Sequence, residues 1–219
     1  MKKAAQHGSS RGHGQRGFTL VEVIVVLSVV LLLTGIAVPM LSSYMEDGRR
    51  ARAEAECKVI GAAVTSFYKD VGVFPSRNSA GTNNVVQVLF TSATRPTVNP
   101  FNANHAWITA GMSATTGDVM NNHLGVNRPQ GATAAAAIYP TTGTSRWRGP
   151  YQNGDAPLDP WGRPYVVNVQ SGWSPTATNF KRLWVLSAGS NGIIDTVATA
   201  TATTNPAGDD IAFLVYQRQ

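Results

Sequence analysis

The stretch that decides the fold reads GFTLVEVIVVLSVVLLLTGIAVPML over residues 17–41, and its one charged residue is Glu22. Residues 18–41 would span about 36 Å as a helix, which exceeds the hydrocarbon core of a bilayer at about 30 Å. An ordinary secretory signal has an apolar region of only about 7–15 residues, followed by its cleavage site. The stretch therefore predicts a membrane-spanning helix, and a carboxylate inside it is costly enough that we expect it to have a specific partner.

The residues before this helix form a basic leader. Residues 1–17 contain Lys2, Lys3, Arg11 and Arg16 and no acidic residue. The positive-inside bias predicts that the leader lies in the cytoplasm and that the chain beyond the helix lies on the other side of the membrane. A plain signal anchor that carries a chance glutamate is the less favoured alternative.

The run from Gly17 to Glu22 resembles the cleavage and methylation motif of type IV pilins and type II secretion pseudopilins. In that family a prepilin peptidase cuts after the glycine and methylates the new N-terminus, which implies processing between Gly17 and Phe18. The new amine of Phe18 would be cationic, and in a stack of parallel helices it would meet Glu22 of a neighbour, so that each charge neutralises the other. We therefore expect Glu22 to set the register between subunits.

Pro39 lies inside the predicted membrane helix. It has no N–H and clashes with the preceding turn, so we expect the helix to kink or melt locally there, and the nearby Gly35 weakens the same stretch. Family members carry a proline at the matching place, and the resemblance implies that the helix loosens there during extraction into a filament. A kink near the membrane surface is the plainer interpretation, and the two are compatible.

Composition limits the remaining possibilities. The chain has 219 residues and a formal net charge of +6, but four of its basic residues belong to the leader, and no basic and aromatic patch indicates a nucleic-acid partner. Cys57 is the only cysteine, which excludes an intramolecular disulfide. We predict that it is a half-buried small apolar residue of a helix.

The predicted fold class is α+β, a pilin-like fold in which a long N-terminal helix packs on a small C-terminal antiparallel sheet. Its parts are a cleaved leader (1–17), a transmembrane and assembly helix (18–41), the periplasmic half of the same helix (42–75), a variable loop insertion (76–148) and a β-sheet with a calcium-type loop (149–219). The helix should end near Asp70, before the Gly72 and Pro75 punctuation. Alternating β-branched runs predict strands at 164–170, 182–187 and 211–216.

The insertion is the least regular part of the sequence. Residues 84–90 could form a short helix or a strand, because the run is too short to decide. His105 and His123 lie in this region with no nearby cysteine or acidic cluster to complete a ligand set. We therefore predict that both are ordinary loop histidines.

Two further segments extend the resemblance. Residues 67–75 read FYKDVGVFP and are similar to the end of the long helix in the major pseudopilin of type II secretion. Gly149-Pro150-Tyr151, followed by LDPWGRPY at residues 158–165, resembles another signature of that family. Asp-Pro and Gly-x-Pro are turn formers, so we expect a rigid structural turn without a catalytic role.

A third segment is similar to the calcium-binding loop of the same family. Calcium takes about 6–8 oxygen ligands from carboxylates, amides, carbonyls and water. The resemblance implies ligands from Leu186, Ser190, Asn191, Asp195, Asp209 and Asp210. We favour Asp195 and Asp210 over Asp209. Asn191 replaces the usual aspartate, and residues 197–206 lengthen the loop, so polar capping of a solvent loop remains the alternative.

These features together favour a structural subunit of a type II secretion pseudopilus over an enzyme. The resemblance implies copies of the same chain, minor pseudopilins, an inner-membrane assembly platform and a prepilin peptidase as partners, and a single-pass inner-membrane location with the C-terminal domain in the periplasm. The alternative is a type IV pilin for adhesion, motility or DNA uptake. A tethered enzyme is the third possibility, but the sequence contains no catalytic set that supports it.

Overall fold

The computed structural model describes residues 17–96, 113–154, 157–169, 182–196 and 205–217. The chain divides into two compact units, Met1–Met45 and Glu46–Gln219. The elements are α1 (Leu20–Val71), β1 (Val88–Phe90), β2 (Gly117–Val119), α2 (Met120–Leu124), a 3-10 turn (Pro129–Gly131), β3 (Val166–Asn168), β4 (Arg182–Ser187) and β5 (Ile211–Gln217).

The first unit contains the apolar part of α1, and its side chains are exposed from Phe18 to Leu41. Among the described residues, α1 is the one helix that is long and apolar enough to cross a membrane. The helix continues through Pro39 without a break, and the hydroxyl groups of Ser42 and Ser43 donate to the Pro39 carbonyl oxygen at 2.8 and 3.3 Å. In a single subunit α1 is therefore intact at Pro39. The loosening of the helix there during filament assembly stays a prediction.

The C-terminal part of α1 packs on the sheet through residues spaced three or four apart. Its buried side chains are Ala53, Cys57, Ile60, Val64, Phe67 and Val71. Cys57 is fully buried rather than half-buried, and this burial raises the pKa of its thiol to about 12, so it is not a reactive thiol. The helix ends where predicted, because Gly72 adopts a left-handed φ of +79° that glycine allows without strain.

The sheet confirms the α+β class, but it is larger than the predicted one. Its strand order is β2-β1-β3-β4-β5, and β1 and β2 pair in parallel while the other neighbours are antiparallel. The three predicted C-terminal strands are present, and residues 84–90 contain a strand rather than a helix. The sheet is thus mixed, and two of its strands come from the segment at 76–148 that we predicted as a loop insertion.

Both faces of the sheet bury apolar side chains. One face packs on α1 and includes Leu89, Val167 and Val185. The opposite face carries a second cluster, made of Val88, Phe90, Val166, Trp184, Leu186, Ala188 and Ile194. Because successive side chains of a strand point to opposite faces, β1, β3, β4 and β5 each contribute to both clusters, and apolar residues follow one another along these strands.

Candidate assembly and cation-binding sites

The N-terminal motif forms a capping box in the single chain. The Thr19 backbone N–H and hydroxyl group both donate to Glu22 Oε2 at 2.9 Å, and the Glu22 N–H donates back to Thr19 Oγ1 at 3.2 Å. This is the Thr-x-x-Glu arrangement that satisfies donors at the start of a helix. It explains why α1 begins at Leu20 and leaves Gly17 and Phe18 outside the helix, with Phe18 88% exposed.

We predicted an intersubunit role for Glu22, and this cap was not predicted although the Thr-x-x-Glu spacing is present in the sequence. The two roles are compatible, because both hydrogen bonds that the Glu22 carboxylate accepts from Thr19 end on one of its two oxygens, Oε2. The predicted contact with Phe18 of a neighbour stays a prediction. The cap fixes where along the helix the carboxylate lies when such a contact forms.

The sheet brings the predicted cation ligands to one edge. Ser187 at the end of β4 pairs with Ile211 at the start of β5, so the residues that follow one strand lie beside those that precede the other. Asp209 Oδ2 accepts hydrogen bonds from Ser190 Oγ at 2.9 Å and from the Asn191 N–H at 3.0 Å. Asn191 Oδ1 accepts from the Ile193 N–H at 2.6 Å.

Glycines with left-handed backbone allow the two segments to approach closely. A Cβ at Gly189, whose φ is +61°, would lie 2.4 Å from the Asp209 carbonyl oxygen. A Cβ at Gly208, whose φ is +62°, would lie 2.0 Å from Asp195 Oδ2. A side chain at position 189 would press on the Asp209 backbone, and one at position 208 would displace the Asp195 carboxylate, so glycine suits both positions and their left-handed φ.

Asp210 is held by a different set of donors from Asp209. Its Oδ2 accepts from the Thr196 N–H at 2.7 Å and from Thr196 Oγ1 at 2.5 Å. Burial, with a further contribution from the charge of Asp195, raises the pKa of Asp210 to about 6 although the Thr196 bonds oppose it. Burial also acts to raise the pKa of Asp209, but its hydrogen bonds from Asn191 and Ser190 outweigh burial and hold this pKa below its ordinary value.

The donor chemistry of this edge suits a hard cation, but the ligand set is not gathered at one point. Asp209 Oδ1 and Asp210 Oδ1 are buried and have no hydrogen-bond partner among the described residues. Within the same described residues, no three His, Cys, Asp or Glu side chains converge on a metal-sized position. Leu186 pairs with Ala212 in the β4–β5 ladder, and no described contact brings it to the acids.

The predicted rigid turn lies directly beside these acids. Asp159 Oδ1 accepts from the N–H groups of Trp161 at 3.1 Å and Arg163 at 2.8 Å, and its Oδ2 accepts from Ser187 Oγ at 2.7 Å. The Arg163 guanidinium donates through Nη1 to the Gly189 carbonyl oxygen at 2.8 Å. The turn therefore has the structural role that we expected, and it is bonded to the segment that carries Ser190 and Asn191.

The prediction that His123 is a loop histidine was wrong. His123 lies on α2 and is completely buried. Its Nε2 is 2.9 Å from Asp118 Oδ2, and its Nδ1 is 2.7 Å from the Tyr139 hydroxyl oxygen. Tyr139 Oη also accepts from the Arg77 N–H at 3.1 Å. The prediction failed because Tyr139 is distant in sequence, and the Asp118–His123 spacing alone did not indicate a pair. His105 lies outside the described residues.

This buried group is a structural network. Tyr139 Oη accepts from the Arg77 N–H and contacts His123 Nδ1, and the other ring nitrogen of His123, Nε2, faces the Asp118 carboxylate. Burial acts to raise the pKa of Asp118, but contacts from His123 and from backbone N–H groups outweigh burial, and the pKa lies below its ordinary value. Asp118, His123 and Tyr139 are all at most 4% exposed, so the group is inaccessible to a substrate.

Comparisons with known proteins find two matching families, one in the N-terminal part of the chain and one in its globular unit. The prokaryotic N-terminal methylation motif matches residues 12–38, and the family of type II secretion system protein G matches residues 125–205. The second match includes the Asp159 turn, Asn191 and Asp195. No solved structure matches the chain.

Among curated proteins, the chain is similar to both pseudopilins and pilins. It is 31% identical over 94 residues to type II secretion system core protein G of Pectobacterium carotovorum, which is 43% of this chain and 55% of that protein. It is 33% identical over 67 residues to type IV major pilin protein PilE1 of Neisseria gonorrhoeae, 31% of each chain. It is also 33% identical over 66 residues to fimbrial protein EcpC of Eikenella corrodens, 30% of this chain and 43% of that one.

The matched segments thus span about a third to about a half of these relatives. The methylation motif includes Gly17 and Phe18, which are exposed and precede α1, and the protein G match lies in the unit that contains the sheet. The chain therefore combines a prokaryotic N-terminal methylation motif at its N-terminus with a segment of its globular unit that matches the family of type II secretion system protein G.

Proposed function

We propose that the protein is a structural subunit of a type II secretion pseudopilus. The observation that carries this proposal is the extent of the similarity to protein G. That similarity includes residues 125–205 of the globular unit and extends over 94 residues in one curated relative, whereas the pilin and fimbrial relatives named above match over 66 or 67 residues. The subunit acts mechanically: copies add to a growing rod that pushes secreted proteins outward.

The proposed maturation step takes place at the start of α1. A prepilin peptidase cuts between Gly17 and Phe18 and methylates the new amine. Both residues precede the helix and are exposed, so the peptide bond between them is accessible in the precursor. Mass spectrometry of the assembled protein should give methylated Phe18 as its first residue, and replacing Gly17 with a bulky residue should leave the leader attached.

Assembly follows from the exposed apolar part of α1. Residues 20–41 are exposed throughout, and a single copy in water has nothing to cover them, so they lie in the inner membrane or against the helices of other copies. The Glu22 carboxylate pairs with the Phe18 amine of a neighbour and sets the register of that packing. Minor pseudopilins and an inner-membrane assembly platform are the further partners in this proposal, and the sheet-containing unit lies in the periplasm.

We also propose that the loops at the β4–β5 edge bind calcium as a structural ion. Support comes from the two buried carboxylate oxygens without partners, on Asp209 and Asp210, and from the hard-oxygen chemistry of Asp195, Asn191 and Ser190. When bound, the ion supplies positive charge that offsets the repulsion between these acids. Excess chelator should lower the melting temperature of the protein, and an identical melting curve with and without chelator would reject the ion.

The alternative is a type IV pilin for adhesion, motility or DNA uptake, which the pilin relatives support. A gene deletion in the native host separates the two. The pseudopilus proposal predicts that secreted proteins accumulate inside the cell while surface pili and motility are unchanged. The opposite result, with loss of pili and normal secretion, would identify the protein as a pilin.

A further inference from the structure

We infer that Arg163 is the positioning residue of the acidic loops at the β4–β5 edge. Its side chain reaches from the Asp159 turn to residues 187–192, which run from the last residue of β4 into the following loop and which we call the donor arm. Nη1 donates to the Gly189 carbonyl oxygen at 2.8 Å. The guanidinium also covers Gly192, where an added Cβ would lie 2.4 Å from Arg163 Cζ. The inference concerns the site that the proposed calcium ion would occupy, and it rests on that proposal only for its effect on the ion.

The donor arm is fixed to the turn at two points. Ser187 Oγ donates to Asp159 Oδ2 at 2.7 Å and accepts from the Gly189 N–H at 3.3 Å, which fixes the beginning of the arm. Arg163 holds the middle of the arm through its hydrogen bond to the Gly189 carbonyl oxygen, and its guanidinium lies against Gly192. Since Asp159 Oδ1 accepts the Arg163 N–H at 2.8 Å, the guanidinium starts from a backbone position that is itself held.

Fixing the arm positions the groups that hold Asp209. The arm presents Ser190 Oγ and the Asn191 N–H to Asp209 Oδ2 at 2.9 and 3.0 Å, although Ser190 and Asn191 are exposed. Exposed hydrogen bonds of this kind open readily unless the backbone beneath them is held. Without Arg163, we expect the arm to move away and to release the Asp209 carboxylate.

The charge of Arg163 supports the same role. Asp195, Asp209 and Asp210 place three carboxylates on the two loops, and the Arg163 guanidinium is a fixed cation beside the donor arm. A hydrogen bond from a charged group is stronger than one between neutral groups, and guanidinium offers several donors in a rigid plane that an ammonium group does not reproduce. Arg163 therefore orders one loop before any metal ion arrives, which leaves the ion to act on the carboxylate oxygens that have no partner.

The test is hydrogen exchange on the full-length chain in detergent, with chelator present. In the Arg163→Met variant, the amide of Asn191 should exchange about tenfold or more faster than in the unchanged protein, because a charged hydrogen bond beneath it is lost. Arg163→Lys should recover part of the protection. The matched control is Arg148→Met, since Arg148 is exposed and lies 3.6 Å from Asp70, outside the loops; it should leave Asn191 exchange unchanged.

Equal exchange rates at Asn191 in the unchanged protein and in Arg163→Met would overturn the inference. It would also be overturned if Arg148→Met increased the Asn191 exchange rate as much as Arg163→Met does, because that would indicate a general loss of stability. Adding calcium to Arg163→Met then tests the link to the ion. Restored protection of Asn191 supports a positioning role in ion binding. If calcium leaves the exchange of the Asn191 amide unchanged in every variant, the calcium proposal is rejected. The result for the donor arm is then unaffected.

Discussion

Gly61 lies where α1 packs directly against Phe213 and Val215 of β5, and it allows a prediction with a matched control on the same helix. A Cβ at Gly61 would lie 2.4 and 2.5 Å from two ring carbons of Phe213 and 3.3 Å from Val215 Cγ2. The ordinary contact distance between carbon atoms is about 3.5–4.0 Å. In Gly61→Ala, either the Phe213 ring or the helix must therefore move by about 1 Å.

Two opposing free energies decide the outcome at Gly61. Alanine improves the helix by about 1 kcal/mol relative to glycine, whereas overpacking a core contact costs about 1–3 kcal/mol. Since the clash is far inside van der Waals contact and involves a partly buried ring that packs against the core cluster, we place the cost near the upper end and expect a net loss of about 1–2 kcal/mol. For a chain of this size, that loss lowers the melting temperature by about 2–8 °C.

Gly48→Ala is the control, because Gly48 lies on the same helix with nothing within 4 Å of the added Cβ. It receives the helix gain without the clash, and its melting temperature should rise by about 2–4 °C. The assay is thermal unfolding of the full-length chain in detergent, followed by the near-ultraviolet circular dichroism of the globular unit. If both variants are stabilised to the same extent, Phe213 does not pack against Gly61, and the helix–sheet contact described above is wrong.

Three further predictions concern other parts of the molecule. Folding lowers the pKa of Asp118, so its ionised form stabilises the protein above about pH 4. The difference in melting temperature between the unchanged protein and Asp118→Asn should therefore shrink as the pH falls through the pKa of Asp118 in the folded protein. Tyr139→Phe leaves His123 Nδ1 and a backbone N–H without their partner, and chemical denaturation should show a loss of about 1–3 kcal/mol. Glu22→Val removes both the helix cap and the proposed counterion, so filament yield in electron micrographs should fall sharply; normal filaments at normal yield would contradict the pairing with Phe18.

The long helix was predictable because its signals are local and redundant. The uninterrupted apolar run predicts the membrane helix, and the glycine at position 72 marks its end within a residue of the observed boundary, Val71. The three C-terminal strands carry enough β-branched residues to be recognised. The cap formed by Thr19 and Glu22 was also readable, since it depends on a spacing of three residues.

The contacts that were missed depend on residues far apart in sequence. Strands β1 and β2 have three residues each, which is too short for a periodic pattern to separate strand from helix. The burial of His123 requires Tyr139, 16 positions away. Similarly, the pairing of Asp210 with Thr196 follows from the meeting of two loops at a sheet edge, and no local rule indicates which acid meets which donor.

The origin of β1 limits how the protein can be shortened. A segment such as 76–148 would ordinarily be a natural place to truncate a subunit or to graft a peptide, because long connections tolerate changes in length. Here its removal would strip β3 of a neighbour and leave a row of unpaired backbone groups between two apolar surfaces. An unprotected edge of that kind recruits strands from other molecules, so such a deletion should produce disordered aggregates in place of a smaller subunit.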